Sequence, residues 1–144
     1  MKPAPFASDE EALALLAAFE AGTLTKPEFN HRAHLLVGLW YLDHHSLAEA
    51  RRLVPDAIKA FNAIVGTSPS PRGGYHETIT QFYLTVIERF RATWLGGPSL
   101  AERANALYDR YGAGDLLLRH YPEEELWSAE ARARWIPSRV DPIE

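Results

Sequence analysis

The chain has 144 residues, a formal net charge of -4 and no cysteine. That length suits one domain able to bury a core without staples, and the missing thiols exclude a disulfide framework, a thiolate metal site and a cysteine nucleophile. Mild acidity argues against a nucleic-acid partner, and the longest apolar run, Leu35 to Leu42, falls well short of the ~20 residues that span a bilayer. Charged Ser8-Asp9-Glu10-Glu11 follows the first residues with no secretory pattern, so the expectation is a soluble cytoplasmic protein.

The punctuation is helical. Serine or threonine with glutamate three residues on, the capping-box spacing, occurs at Ser8/Glu11, Thr25/Glu28, Ser46/Glu49 and Ser99/Glu102. Gly22, Gly66, Gly96 and Gly112 stand where left-handed C-terminal caps belong. The spacing predicts a first helix over 9–21, with Leu13, Leu16 and Phe19 on one stripe, and a second over 26–44, with Pro27 in its first turn. The second is apolar almost all round, which marks a central, buried helix. A third is predicted over 47–65, kinked or split by Pro55. A fourth covers 75–95 with Ile79, Phe82, Tyr83, Val86, Phe90 and Trp94 inward, and a fifth covers 100–111. Short helices are expected at 115–121 and 123–135, the latter broken near Ser128. No alternating strand pattern persists. The expectation is therefore an all-α bundle of about six helices over residues 1–136, with the second helix central, followed by an extended surface tail over 137–144.

Two segments differ from plain core: Phe29-Asn30-His31-Arg32-Ala33-His34-Leu35 and Gly74-Tyr75-His76-Glu77-Thr78-Ile79-Thr80. His31 and His34 are three apart and share a helical face, with Gly38 one turn beyond. That glycine leaves room for a ligand or for a close helix neighbour. Short antiparallel connections make the second and fourth helices parallel, with their N-termini at one end of the bundle. A modest stagger would then gather His31, His34 and His76, with Glu28 and Glu77 near the same level. Three imidazoles and a carboxylate suit a divalent transition metal such as zinc, iron, nickel or copper, with an open position for water.

A metal-free site is the second reading. There His76 and Glu77 act as acid and base, while Asn30, Arg32, Arg72, Tyr75 and Thr80 orient a small polar substrate. The flexible end of the loop over 67–74 would serve as a lid. The structural alternative is a non-catalytic binding or assembly protein, open to association with a second copy, whose histidines only satisfy helix ends. His44, His45 and His120 read as helix-end residues. Arg132 and Arg134 read as solvated or stacked on aromatics, close enough in the tail to fold toward the site.

These same two stretches, with Trp40-Tyr41-Leu42 between them and Ala131-Arg132 near the end, resemble the signature segments of a family of small uncharacterised bacterial proteins. The resemblance covers most of the chain. It implies a bacterial origin and a compact helical fold, and no reaction type. The three-histidine outline is also similar to metal-binding bundles of the DinB kind. The HD-type phosphohydrolases match less well, because Asp43-His44 has the reverse order.

Overall fold

The computed structural model describes residues 4–67, 70 and 73–138. Eight helices occur among them, and no strand: α1 (Asp9–Ala21), α2 (His31–His44), α3 (Leu47–Val65), α4 (Glu77–Thr93), α5 (Leu100–Tyr111), α6 (Leu116–His120), α7 (Glu123–Leu126) and α8 (Ala129–Ala133). No described helix is long and apolar enough to cross a membrane. The count exceeds the expected six because the C-terminal third forms three separate short helices, α6, α7 and α8, with Ser128 breaking the last predicted run, as expected, and capping α8 through Ala131 N.

Serine caps behave as their spacing predicts. The Ser8, Ser46 and Ser99 hydroxyls accept from the backbone N–H three residues on, and at Ser46 the Glu49 carboxylate completes the box. Gly22 and Gly66 end α1 and α3 at φ 71° and 75°. Gly112 does not follow them. It ends α5 at φ -83° and donates to the Tyr108 carbonyl at 2.7 Å, so close that any Cβ would collide with that carbonyl oxygen. Gly96 caps nothing, since α4 stops at Thr93 with Trp94 as its cap. On α1, Leu16 and Phe19 are buried as expected, while Leu13 faces solvent and Ala12 takes its place.

The second helix starts later than predicted. Thr25 and Glu28 do form the reciprocal bonds of a capping box, Glu28 N to Thr25 Oγ1 at 3.3 Å and Thr25 N to Glu28 Oε1 at 2.8 Å. They close only a single turn. Asn30 then adopts an extended backbone and its side chain caps α2 from Ala33 N at 3.0 Å. Glu28 is therefore committed to its turn.

Helix α3 runs unbroken through Pro55. Proline has no N–H, so the Arg51 carbonyl one turn earlier loses its helical donor. The Gln81 side-chain amide of α4 supplies one instead, at 2.9 Å. Arg51 donates back to Gln81 Oε1 at 2.9 Å and to Thr85 Oγ1 at 3.0 Å, and its guanidinium lies over the Trp135 ring. A sequence defect in one helix is thus repaired by its neighbour, and α3 and α4 are locked in register.

Helix α2 packs against α1, α3, α4 and α5 and buries Leu35, Leu36, Val37, Gly38, Leu39 and Leu42 among others. Its far end is fixed by Asp43, which accepts from Arg103 at 2.9 and 2.7 Å and from Arg91 at 3.1 Å. Burial disfavours that carboxylate. The bonds and charges of the two guanidinium groups outweigh the burial and hold its pKa below the usual value. His31 meets Tyr83, and further along Gly38 meets Leu84 and Ile87, so α2 and α4 run parallel. Arg51 meets Thr85 while Lys59 meets Tyr75, so α3 runs antiparallel to α4. The start of the C-terminal segment is sewn down: Thr78 Oγ1 donates to the Arg134 carbonyl and accepts from Ile136 N, and Tyr121 donates to the Ile136 carbonyl at 2.6 Å. Beyond Ser138 the expected tail lies outside the described residues.

Candidate functional site

A cavity of about 290 Å3 lies where α2, α3 and α4 meet. His31, His34, Leu35 and Gly38 line it from α2, and Val54 and Ile58 from α3. The α4 wall is Ile79, Thr80, Tyr83, Leu84 and Ile87. A second cavity of about 250 Å3 adjoins it, shares His34, Ile58, Ile79 and Thr80, and reaches Lys26, Asn62 and Thr67 at its outer end. Gly38 answers the question its sequence position posed in both senses. A Cβ there would come within 2.6 Å of Ile87 Cδ1, so the glycine permits close approach of α2 and α4, and it also floors the cavity.

His34 stacks on Phe29 at 3.7 Å between ring centroids, and its Nδ1 lies 2.8 Å from the Asn30 carbonyl. A carbonyl only accepts, so Nδ1 carries the proton and Nε2 is left as a bare acceptor. The surrounding protein crowds the ring and pulls its pKa down to about 4, with the neighbouring His31 adding a smaller push the same way. The side chain nonetheless remains exposed at the junction of the two cavities. Water at that junction works against the depression, and the direction is what matters: the ring is neutral at pH 7.

His31 packs edge-on to Tyr83 at 4.8 Å, and desolvation lowers its pKa. Its Nε2 is buried without a hydrogen-bond partner. The Tyr83 hydroxyl bonds to no other described residue, and burial pushes it up to about 12, so it stays a donor. Tyr83, read from its spacing as core, is the polar residue of this cavity that sequence reasoning missed. Its recurrence with Ile79, Thr80, Leu84 and Ile87 along one face of α4 was the available clue.

Of the other predicted site residues, Thr80, Tyr75 and His76 line one or both cavities, while Asn30, Arg32 and Glu77 line neither. His76 lines the second cavity with His34 but does not stand with His31 and His34 as a third ligand. Opposite His31 stands Tyr83, seven residues further on, which at 1.5 Å per residue is roughly 10 Å along α4. The His76 ring instead caps α4, accepting from Ile79 N at 3.2 Å, and its Nε2 donates to the Leu126 carbonyl at 2.6 Å. It is 5% exposed and edge-on to Trp127. With both nitrogens bonded, it has no lone pair for a metal and no free proton to transfer. Only two imidazoles remain, one short of the usual open metal site, and no group of three or more His, Asp or Glu side chains among the described residues is arranged to hold an ion. The described residues do not fit the zinc, iron, nickel or copper centre that one reading of the sequence allowed.

Glu77 likewise faces a structural network, not the cavity: it accepts from the Tyr75 hydroxyl at 2.5 Å and from Gln81 at 3.0 Å. Burial foremost, and then that carboxylate, push the Tyr75 hydroxyl's pKa up. Asn30 is a helix cap. Arg32 is 6% exposed, lies 3.9 Å over the Phe6 ring and donates to Asn105 Oδ1, which also accepts from Phe6 N. It clamps the N-terminal segment to α5 on another face of α2 from His31. Thr80 does line both cavities, with its proton donated to the His76 carbonyl at 2.9 Å, and Tyr75 lines the outer one. Arg72 lies outside the described residues, as do Ser68, Pro69 and Pro71 of the expected lid. Of the segment before α4, Ser70 and Gly73 bond to each other, and Arg132 donates to the carbonyls of Ser70, Gly73 and Tyr75.

Comparison with protein-family models, curated proteins and solved structures gives no match.

Proposed function

We propose that this chain binds a small, mainly apolar molecule in the cavity between α2, α3 and α4, with α2 as the central helix and His34 as the polar anchor. One observation carries the reading: His34, whose tautomer is set by the Asn30 carbonyl and whose Nε2 bonds to no described residue, lines an apolar cavity. Holding one imidazole nitrogen by a backbone carbonyl is how proteins present the other to a ligand. The bond alone is not diagnostic, since His44 makes it to Trp40 at the opposite end of α2. The adjoining cavity distinguishes His34. At about 290 Å3 the cavity is near the lower limit of small-ligand clefts, ~300 Å3, and about twice the ~150 Å3 that admits benzene.

The test is a methyl-resolved NMR titration with benzene. The methyl signals of Ile79, Leu84 and Ile87 should shift saturably, and Val54→Phe, which fills the cavity from α3, should abolish the shifts while the fold is kept. Unmoved methyls in the wild-type chain at saturating probe would rule the reading out. The assembly alternative has less support: the large exposed apolar side chains, Leu13, Ile64, Leu95 and Leu118, are spread over α1, α3, the segment after α4, and α6.

A further inference from the structure

The polar atoms of the inner cavity narrow the chemistry of what it holds, on the footing that the cavity is a binding site. His34 Nε2 can only accept, because Nδ1 holds the proton. Thr80 Oγ1 can also only accept, because its proton goes to the His76 carbonyl. Tyr83 can donate, since its hydroxyl is unbonded among the described residues. Beside the His31 imidazole, whose Nε2 has no partner and whose tautomer no bond fixes, the inner cavity therefore offers two acceptors and one donor of assigned role. No Lys, Arg, Asp or Glu is among its described lining residues.

Each simple ligand class meets this set differently. A carboxylate finds no cation, and an unpaired charge in such a wall is costly. An ammonium finds acceptors but no counter-charge. A ketone or ether uses Tyr83 and leaves His34 unpaired. A hydroxyl both gives and takes one bond at a single atom, so of these groups it alone engages an acceptor and the donor together.

We propose that the ligand is an uncharged, ring-sized molecule carrying a hydroxyl group, a phenol or an alicyclic alcohol, whose O–H donates to His34 Nε2 and whose oxygen accepts from Tyr83. Its ring lies on Leu84, Ile87 and Val54. Relative to a bare ring the hydroxyl adds one bond to each of two uncharged partners, and the preference should be about tenfold.

Calorimetric and NMR titrations with benzene, phenol, benzoate and benzylammonium at pH 7 test this. Phenol should bind about tenfold tighter than benzene, with the two ions weaker than either, and the His34 Nε2 resonance should move on phenol addition only. Tyr83→Phe, which removes a single oxygen, and His34→Phe should each bring phenol toward benzene affinity while leaving benzene binding in place. Benzene binding as tightly as phenol would overturn the hydroxyl assignment and leave the cavity reading standing. Benzoate or benzylammonium binding tighter than phenol would overturn the assignment in favour of an ionic ligand. Failure of all four to bind would sink the cavity reading, and this assignment with it.

Discussion

His34 gives its Nδ1 proton to the Asn30 carbonyl at 2.8 Å, the same oxygen that accepts the His34 backbone N–H at 3.0 Å. One residue of the α2 cap thus sets both the helix start and the tautomer of the cavity imidazole. His76 is the mirror case: its Nδ1 accepts from Ile79 N and its Nε2 donates to the Leu126 carbonyl. Long-range proton–nitrogen NMR at pH 7 should therefore find His34 protonated on Nδ1 and His76 on Nε2. The same tautomer at both positions, or a charged His34, contradicts the assignment.

Acid should weaken the fold before the carboxylates titrate. Burial lowers the pKa of His31, His34 and His76 below the ordinary value of 6.5. In each case the unfolded chain takes up a proton that the folded chain refuses. The stability these neutral rings confer is complete above about pH 6.5–7 and is lost as pH falls through 6.5 toward the folded values, about 4 for His34. Thermal melts between pH 7 and 5 should show a falling Tm, with a shallower slope in His34→Gln. A wild-type Tm that is flat across that window would mean the rings are charged in the folded state.

Replacing His76 should cost stability without a direct loss at the inner cavity, which it does not line. His76→Ala removes the α4 cap and leaves the Leu126 carbonyl unpaired, a loss of about 1–3 kcal/mol. His76→Asn, which keeps a capping acceptor, should recover part of it. Benzene binding to the folded fraction should be unchanged in both. A binding loss that exceeds the unfolding would place His76 in the site after all.

The Pro55 repair gives a double-mutant cycle. Gln81→Leu strands the Arg51 carbonyl and should cost about 1–3 kcal/mol. In a Pro55→Ala background the alanine N–H can bond that carbonyl within α3, so the same Gln81→Leu change should cost less. Equal costs in the two backgrounds, read from denaturant unfolding, would show that the Gln81 amide is not the substitute donor.

Much of the fold was legible because it rests on local chemistry. Ser8, Ser46 and Ser99 cap where their glutamates are spaced, and α1, α3 and α5 have the expected limits. Thr25 and Glu28 misled because a capping box guarantees one turn, not a helix, and Asn30, five residues after Thr25, caps the helix that follows. The candidate site was legible where it depended on one helix: His31, His34 and Gly38 share a face of α2 and meet at one cavity. It failed where it depended on the stagger between helices. No residue pattern encodes that His31 stands opposite Tyr83 instead of His76, because the register follows from Gly38 seating Ile87 and Gln81 seating Arg51. Arg32 was misplaced for a similar reason, since Phe6 and Asn105, distant in the chain, bury it.

The central claim is that the space between α2, α3 and α4 is a binding site. Crystals of the full chain soaked with bromobenzene and measured at the bromine absorption edge test it most directly. The account expects one dominant anomalous peak among Val54, Leu84 and Ile87, within the cavity that His34 borders, and its loss in Val54→Phe. Bromine absent from that cavity at saturating soak, or seated only on the outer surface, would contradict it.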